Sequence, residues 1–169
     1  MKDLIVYFSH DKENYVDGKI EVLKVGNTKV VAQKIQAITN GDLFEIKPLH
    51  DYPDNYQECT KIAKQELKNN IRPKIKNIVT HFEEYDNIYL GYPNWWSTMP
   101  MCVWTFLENY DFDNKNIYPF CTHEGSGMGK SESDIKKLCP NSNVYSGLAI
   151  KGSLVLTSDE KIKKWVKEK

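Results

Sequence analysis

Short, wholly apolar runs recur along this chain, each followed by a longer segment with helical spacing. Leu4-Ile5-Val6-Tyr7-Phe8 sets the pattern. Five consecutive apolar residues leave no face for water, so the run predicts a strand buried on both sides, as in a parallel sheet. Residues 27–40 then carry Val31, Ile35 and Ile38 at helical spacing, with Asn27 or Thr28 placed to cap the start and Gly41 after the end. A strand over 43–46 follows, then a helix opened by Asp54 with Cys59, Ile62, Ala63 and Leu67 on one side, which Pro73 bars from continuing. Three further pairs complete the chain: a strand at 88–91 with a helix at 101–108 behind Pro100, a strand at 117–121 with a helix behind Ser131 and Asp134, and a strand at 144–150 with a helix behind Thr157 and Glu160.

Five β-α repeats predict an α/β fold with a parallel sheet between helices. Right-handed crossovers reduce the topologies to a few doubly wound orders, and five strands favour the order 2-1-3-4-5. The whole chain, 1–169, reads as one domain. In such sheets ligands bind outside the carboxyl ends of the strands, where the strand order reverses. Function is therefore to be sought in the loops after Phe8, Gly91 and Cys121.

The first loop, 9–26, leads into Asn27 and Thr28. Unpaired N–H groups at a helix start, with the hydroxyls of Ser9 and Thr28 and the amide of Asn27, suit a phosphate, and Gly26 permits close approach of the backbone. The alternative is that Asn27 and Thr28 are caps only. Inside this loop, Asp17-Gly18 between Tyr15-Val16 and Lys19-Ile20 is a hairpin signal, so residues 11–25 read as an inserted hairpin that either covers the site in part or decorates the surface. The second loop, Gly91-Tyr92-Pro93-Asn94-Trp95-Trp96-Ser97-Thr98, places two large aromatic side chains side by side. Stacking on a flat ligand accounts for them, and folding back into the core is the alternative. The third loop runs Thr122-His123-Glu124-Gly125-Ser126-Gly127-Met128-Gly129. Its glycines imply sharp turns, and its N–H groups can donate to the edge of a heterocycle. His123 and Glu124 are either an acid/base pair or loop-orienting residues. Together the loops offer walls for a phosphate, an aromatic face and a polar ring edge, which is the outline of flavin mononucleotide (FMN).

Composition excludes several alternatives. Lys and Arg (23) balance Asp and Glu (23), so the total charge implies no nucleic-acid surface. Cys59, Cys102, Cys121 and Cys139 stand singly, without metal-ligand spacing, and read as buried free thiols. No signal-peptide pattern or membrane-length apolar stretch is present, which points to a cytoplasmic protein. A phospho-receiver domain, which shares this fold pattern, needs an acidic residue after the third strand, where Leu90-Gly91-Tyr92-Pro93 stands.

Tyr7-Phe8-Ser9 with Gly26-Asn27-Thr28 resembles the split phosphate loop of flavodoxin-like proteins. Gly91-Tyr92-Pro93-Asn94-Trp95-Trp96 and Pro119-Phe120-Cys121-Thr122-His123-Glu124-Gly125-Ser126-Gly127 resemble a bacterial flavodoxin subfamily that binds FMN, and the likeness runs over nearly the whole chain. The resemblance implies a flavodoxin-like three-layer sandwich. It implies that Ser9, His10, Asn27 and Thr28 hold the phosphate, Pro93 to Trp96 line the ring and Thr122 to Gly127 meet the ring's polar edge. Two departures stand out. The insertion interrupts the phosphate loop, with His10 where relatives often carry Arg, and the third loop lacks the Tyr that many electron-carrier flavodoxins place over the second ring face. One face is therefore expected to be open. The resemblance implies electron transfer to redox partner proteins, with an FMN-dependent NAD(P)H reductase of quinones or other small planar acceptors as the alternative; a tetrapyrrole is a further candidate substrate.

Overall fold

The computed structural model describes residues 1–169. The chain runs β1 (Asp3–Tyr7), β2 (Lys12–Val16), β3 (Lys19–Leu23), α1 (Asn27–Thr39), β4 (Asp42–Glu45), α2 (Tyr56–Lys68), β5 (Asn87–Pro93), α3 (Met101–Asn109), β6 (Asn116–His123), α4 (Ser131–Leu138), β7 (Asn143–Val144), β8 (Leu148–Lys151) and α5 (Asp159–Lys167). Short 3-10 turns at Phe82–Glu84 and Gly152–Thr157 complete it. The main sheet is wholly parallel, in the order β4-β1-β5-β6-β7, with β8 also paired to β6. It has six strands where five were expected, because the run at 144–150 breaks into β7 and β8.

Side chains alternate between the two faces, as strand geometry requires. Leu4, Val6 and Phe8 pack on one side with Ile88, Leu90, Tyr92 and residues of α3. Ile5 and Tyr7 pack on the other with Val31, Ala32 and Ile35 of α1 and Ile162 and Trp165 of α5. The first run is thus buried on both faces. All four cysteines are buried free thiols, and no helix is long and apolar enough to cross a membrane.

Several helix ends differ from expectation. Neither Asn27 nor Thr28 caps α1: the N-cap is Gly26, and Ser9 Oγ, from beyond the hairpin, accepts the Lys29 N–H at 3.1 Å. Asn40, not Gly41, takes the left-handed turn at its end (φ 56°). For α2 the cap is Asn55, whose side chain accepts from Glu58 N, and Ile62 remains exposed. Ser131 and Asp134 form no capping box, since Ser131 Oγ donates to Met128 O and Asp134 accepts from Thr98 Oγ. Thr157 and Glu160 form none either, because the 3-10 turn places Ser158 at the N-cap of α5 and the Thr157 hydroxyl on Leu154 O. The insertion is a hairpin as expected: β2 and β3 pair antiparallel across Asp17-Gly18, both with positive φ (51° and 89°), as a tight two-residue turn demands.

Gly91, in the middle of the sheet, faces the Phe120 ring so closely that a Cβ would lie 2.1 Å from its Cζ. Gly91→Ala is expected to lower stability by about 1–3 kcal/mol through overpacking, measured as the shift of the urea unfolding midpoint.

Candidate functional site

All the parallel strands end at one edge, and a cavity of about 590 Å³ opens there. Its volume falls in the ~300–1,000 Å³ range of small-molecule pockets. Of the residues expected in the first loop, His10, Asn27 and Thr28 line it. Ser9 does not; it caps α1 and lines a neighbouring polar depression instead. Gly26 packs directly on Ser9 and the His10 carbonyl, so the split loop closes into one surface despite the insertion. The N–H groups of Asn27 and Thr28 have no partner within the protein, as is usual for the first turn of a helix. Thr28 Oγ lies 2.8 Å from Thr122 Oγ in a buried contact that joins the helix start to the end of β6.

The second wall begins later than the sequence suggests, because β5 continues to Pro93 and β6 to His123. Asn94 locks the two following loops together. Its backbone N–H donates to Thr122 O, its Nδ2 donates to Gly127 O, and its Oδ1 accepts from Ser97 N. The adjacent tryptophans then separate. Trp95 is half-buried, edge-on to Tyr52 (4.9 Å between centroids), Phe8 (5.3 Å) and His10 (5.9 Å). Trp96, at φ 55°, stays exposed on the rim, donates Nε1–H to Thr60 O and carries Lys64 over its ring. Both line the cavity, with Pro93 and Asn94.

Thr122, His123, Glu124 and Ser126 line the third wall, whereas Gly125 and Gly127 shape the turn without reaching the cavity. Both glycines have positive φ. His123 Nδ1 accepts the Gly125 N–H at 2.9 Å, and Glu124 Oε2 accepts from Asp17 N at 3.1 Å. The two side chains do not pair, so the loop-orienting role is the one the geometry supports. Glu124 Oε1 is buried without a partner. Burial holds both His123 and His10 below the ordinary imidazole value, and His10 Nε2–H donates to the Pro53 carbonyl. Burial also pushes the Cys59 thiol, on the cavity wall, up to about 12, so it stays protonated at neutral pH.

The side chains that sequence reasoning missed come from the hairpin and α2. Glu13, Asn14 and Tyr15 of β2 and Tyr56 and Thr60 of α2 line the same cavity. The hairpin is therefore part of the site rather than decoration. Its Asp17-Gly18 signal was legible, but not the direction in which it folds. That direction is set by Glu13, whose carboxylate accepts from Tyr56 N (2.8 Å) and Asn55 Nδ2 (3.2 Å), and by Asp17, which pairs with Lys151 (2.9 Å).

The fold and the edge cavity thus define an α/β protein of the flavodoxin-like class. A family model described as flavodoxin matches residues 22–169, and this chain belongs to that family. No curated protein matches. Among solved structures, the chain is similar to a Bacteroides eggerthii protein provisionally described as a flavoprotein (29% identity, TM-score 0.76, covering 99% of this chain and 96% of that one). It is similar to another so described from Bacteroides uniformis (26%, TM-score 0.77, 98% and 97%). A flavoprotein from Lactobacillus acidophilus solved in complex with FMN shares the fold (23%, TM-score 0.68, 98% of each chain).

Asn94→Ala removes the side-chain bond to Gly127 in the third loop and the one to Ser97 within its own loop. It is expected to cost about 1–3 kcal/mol and to speed amide hydrogen exchange at Ser97 and in the 125–129 turn. The histidines give a pH dependence. Their folded values lie below the ordinary 6.5, so the unfolded chain takes up these protons first. Their contribution to stability is complete above 6.5 and is lost as pH falls from there through the folded values. NMR titration of the His10 and His123 ring protons should give midpoints below 6.5; midpoints at or above it would contradict the burial assigned here.

Proposed function

We propose that this chain binds FMN in the edge cavity and serves in electron transfer. The observation that carries the reading is the meeting, in one cavity, of a free helix start, an aromatic wall and a polar loop. The residues fit the group. The unpartnered N–H groups of Asn27 and Thr28 would hold the phosphate, with the Asn27 amide beside them. His10, kept neutral by burial, would contribute as a polar neighbour and not as a cation. Glu124 Oε1, buried and unpartnered, would accept from a hydroxyl of the ribityl chain. Trp95 and Trp96 with Pro93 and Asn94 would line the ring, and Thr122 to Ser126 would meet its polar edge.

Bound there, FMN would supply reversible electron transfer. The protein's part is to hold the ring against aromatic side chains, limit water and present carboxylates nearby. Glu13 and Glu124, both on the cavity wall, would oppose added negative charge on the ring. Redox proteins, or a small planar acceptor, would be the partners. Four free thiols suit a reducing compartment such as the cytoplasm.

Titrating the protein with FMN tests the first half: saturable binding is expected, and its absence would sink the reading. Trp95→Ala should weaken binding about three- to tenfold, the equivalent of one aromatic pair at ~0.5–1.5 kcal/mol. Anaerobic mixing of the FMN-loaded protein with NADPH or NADH tests the second half. Slow or no bleaching is expected for an electron carrier, whereas rapid bleaching would move the assignment to an NAD(P)H-dependent reductase.

A further inference from the structure

The third loop carries no aromatic residue, yet the cavity is not bare beyond the two tryptophans. Tyr15 of β2 lies against Tyr56 at the start of α2, with ring centroids 6.2 Å apart and planes 29° from parallel. Both rings line the cavity. The pair is held, not loose. Glu13, two residues before Tyr15, accepts the backbone N–H of Tyr56 itself, and Glu13 N donates to Asp54 O. At the other end of the hairpin, Asp17 is tied to Glu124 and Lys151. Anchors on both sides of Tyr15 thus fix it over the opening. Nonetheless 44% of Tyr15 is exposed, as is 45% of its cross-strand neighbour Ile20. An aromatic ring pinned in place by four polar anchors but left half uncovered is a surface built to receive another apolar ring.

We infer that the hairpin supplies a second ring-contact surface in this site: Tyr15, backed by Tyr56, stacks on the planar ring bound in the cavity and shields it from a second flat molecule. The inference rests on the FMN reading and deepens it, since a shielded ring favours electron relay over direct stacking of a nicotinamide. It also replaces the open face expected from the third loop with cover from a different part of the chain.

The test follows the affinity for FMN together with the tyrosine ring resonances of the protein. Adding FMN to the wild-type chain should shift the Tyr15 and Tyr56 ring signals through the ring current of the ligand. Tyr15→Ala should weaken FMN binding about three- to tenfold and make the fluorescence of the bound flavin more accessible to iodide. Ile20→Ala, on the same hairpin face but outside the cavity, should leave affinity unchanged. If the wild type binds FMN while Tyr15→Ala binds equally well and the tyrosine signals stay put, the hairpin surface is refuted and the FMN reading stands. If the wild type does not bind FMN, both fall.

Discussion

All-parallel pairing is the constraint on which the rest of this molecule depends. Strands that run the same way deliver every carboxyl end to one edge, and helices on both faces leave that edge as the accessible side. Three loops distant in sequence therefore meet there without any long-range design of their own. What they need is local locking, and the structure supplies it sparingly. The buried Thr28–Thr122 contact joins the start of α1 to the end of β6. Asn94 joins the loops after β5 and β6 through its backbone N–H and its Nδ2, and the Lys130 N–H adds a bond to Ser97 O.

The parts of this arrangement that were legible in the sequence are those governed by burial. A run such as Leu4 to Phe8 has only one environment that suits it, and Val31 and Ile35 have only one face of a helix. The helix ends were less legible because capping is a contest between local and distant partners. Ser9 wins at α1 although it lies far back in the chain, on the other side of an inserted hairpin. Ser131 has the residue type of a cap but is drawn inward, where it accepts a hydrogen bond from the buried Tyr92 hydroxyl. The break between β7 and β8 has a similar origin: Gly147 N donates to Glu132 on α4, which takes the backbone out of strand pairing just where the apolar run looked continuous.

The site divides in the same way. The loops after β1, β5 and β6 were identifiable because topology puts them at the edge. Which member of the Trp95-Trp96 pair turns inward was not, since that depends on a positive φ at Trp96, in a tight turn closed by the Trp95–Thr98 backbone pair and the Asn94–Ser97 bond. The contribution of Tyr15 and Tyr56 was also hidden. It arises from a carboxylate, Glu13, reaching a helix start forty-odd residues away, and no periodicity records such a contact.

The hairpin shares no strand pairing with the main sheet, and of its ten strand residues only Val16 is buried. Its attachment is a handful of polar contacts. Regions held in this way open at far lower free energy than a packed core. The wall of the cavity and the stability of the fold are thus separable properties: the two-stranded hairpin can detach locally while the sheet beneath it stays intact. Substitutions in β2 and β3 therefore bear on this one wall without touching the scaffold that holds the others in place.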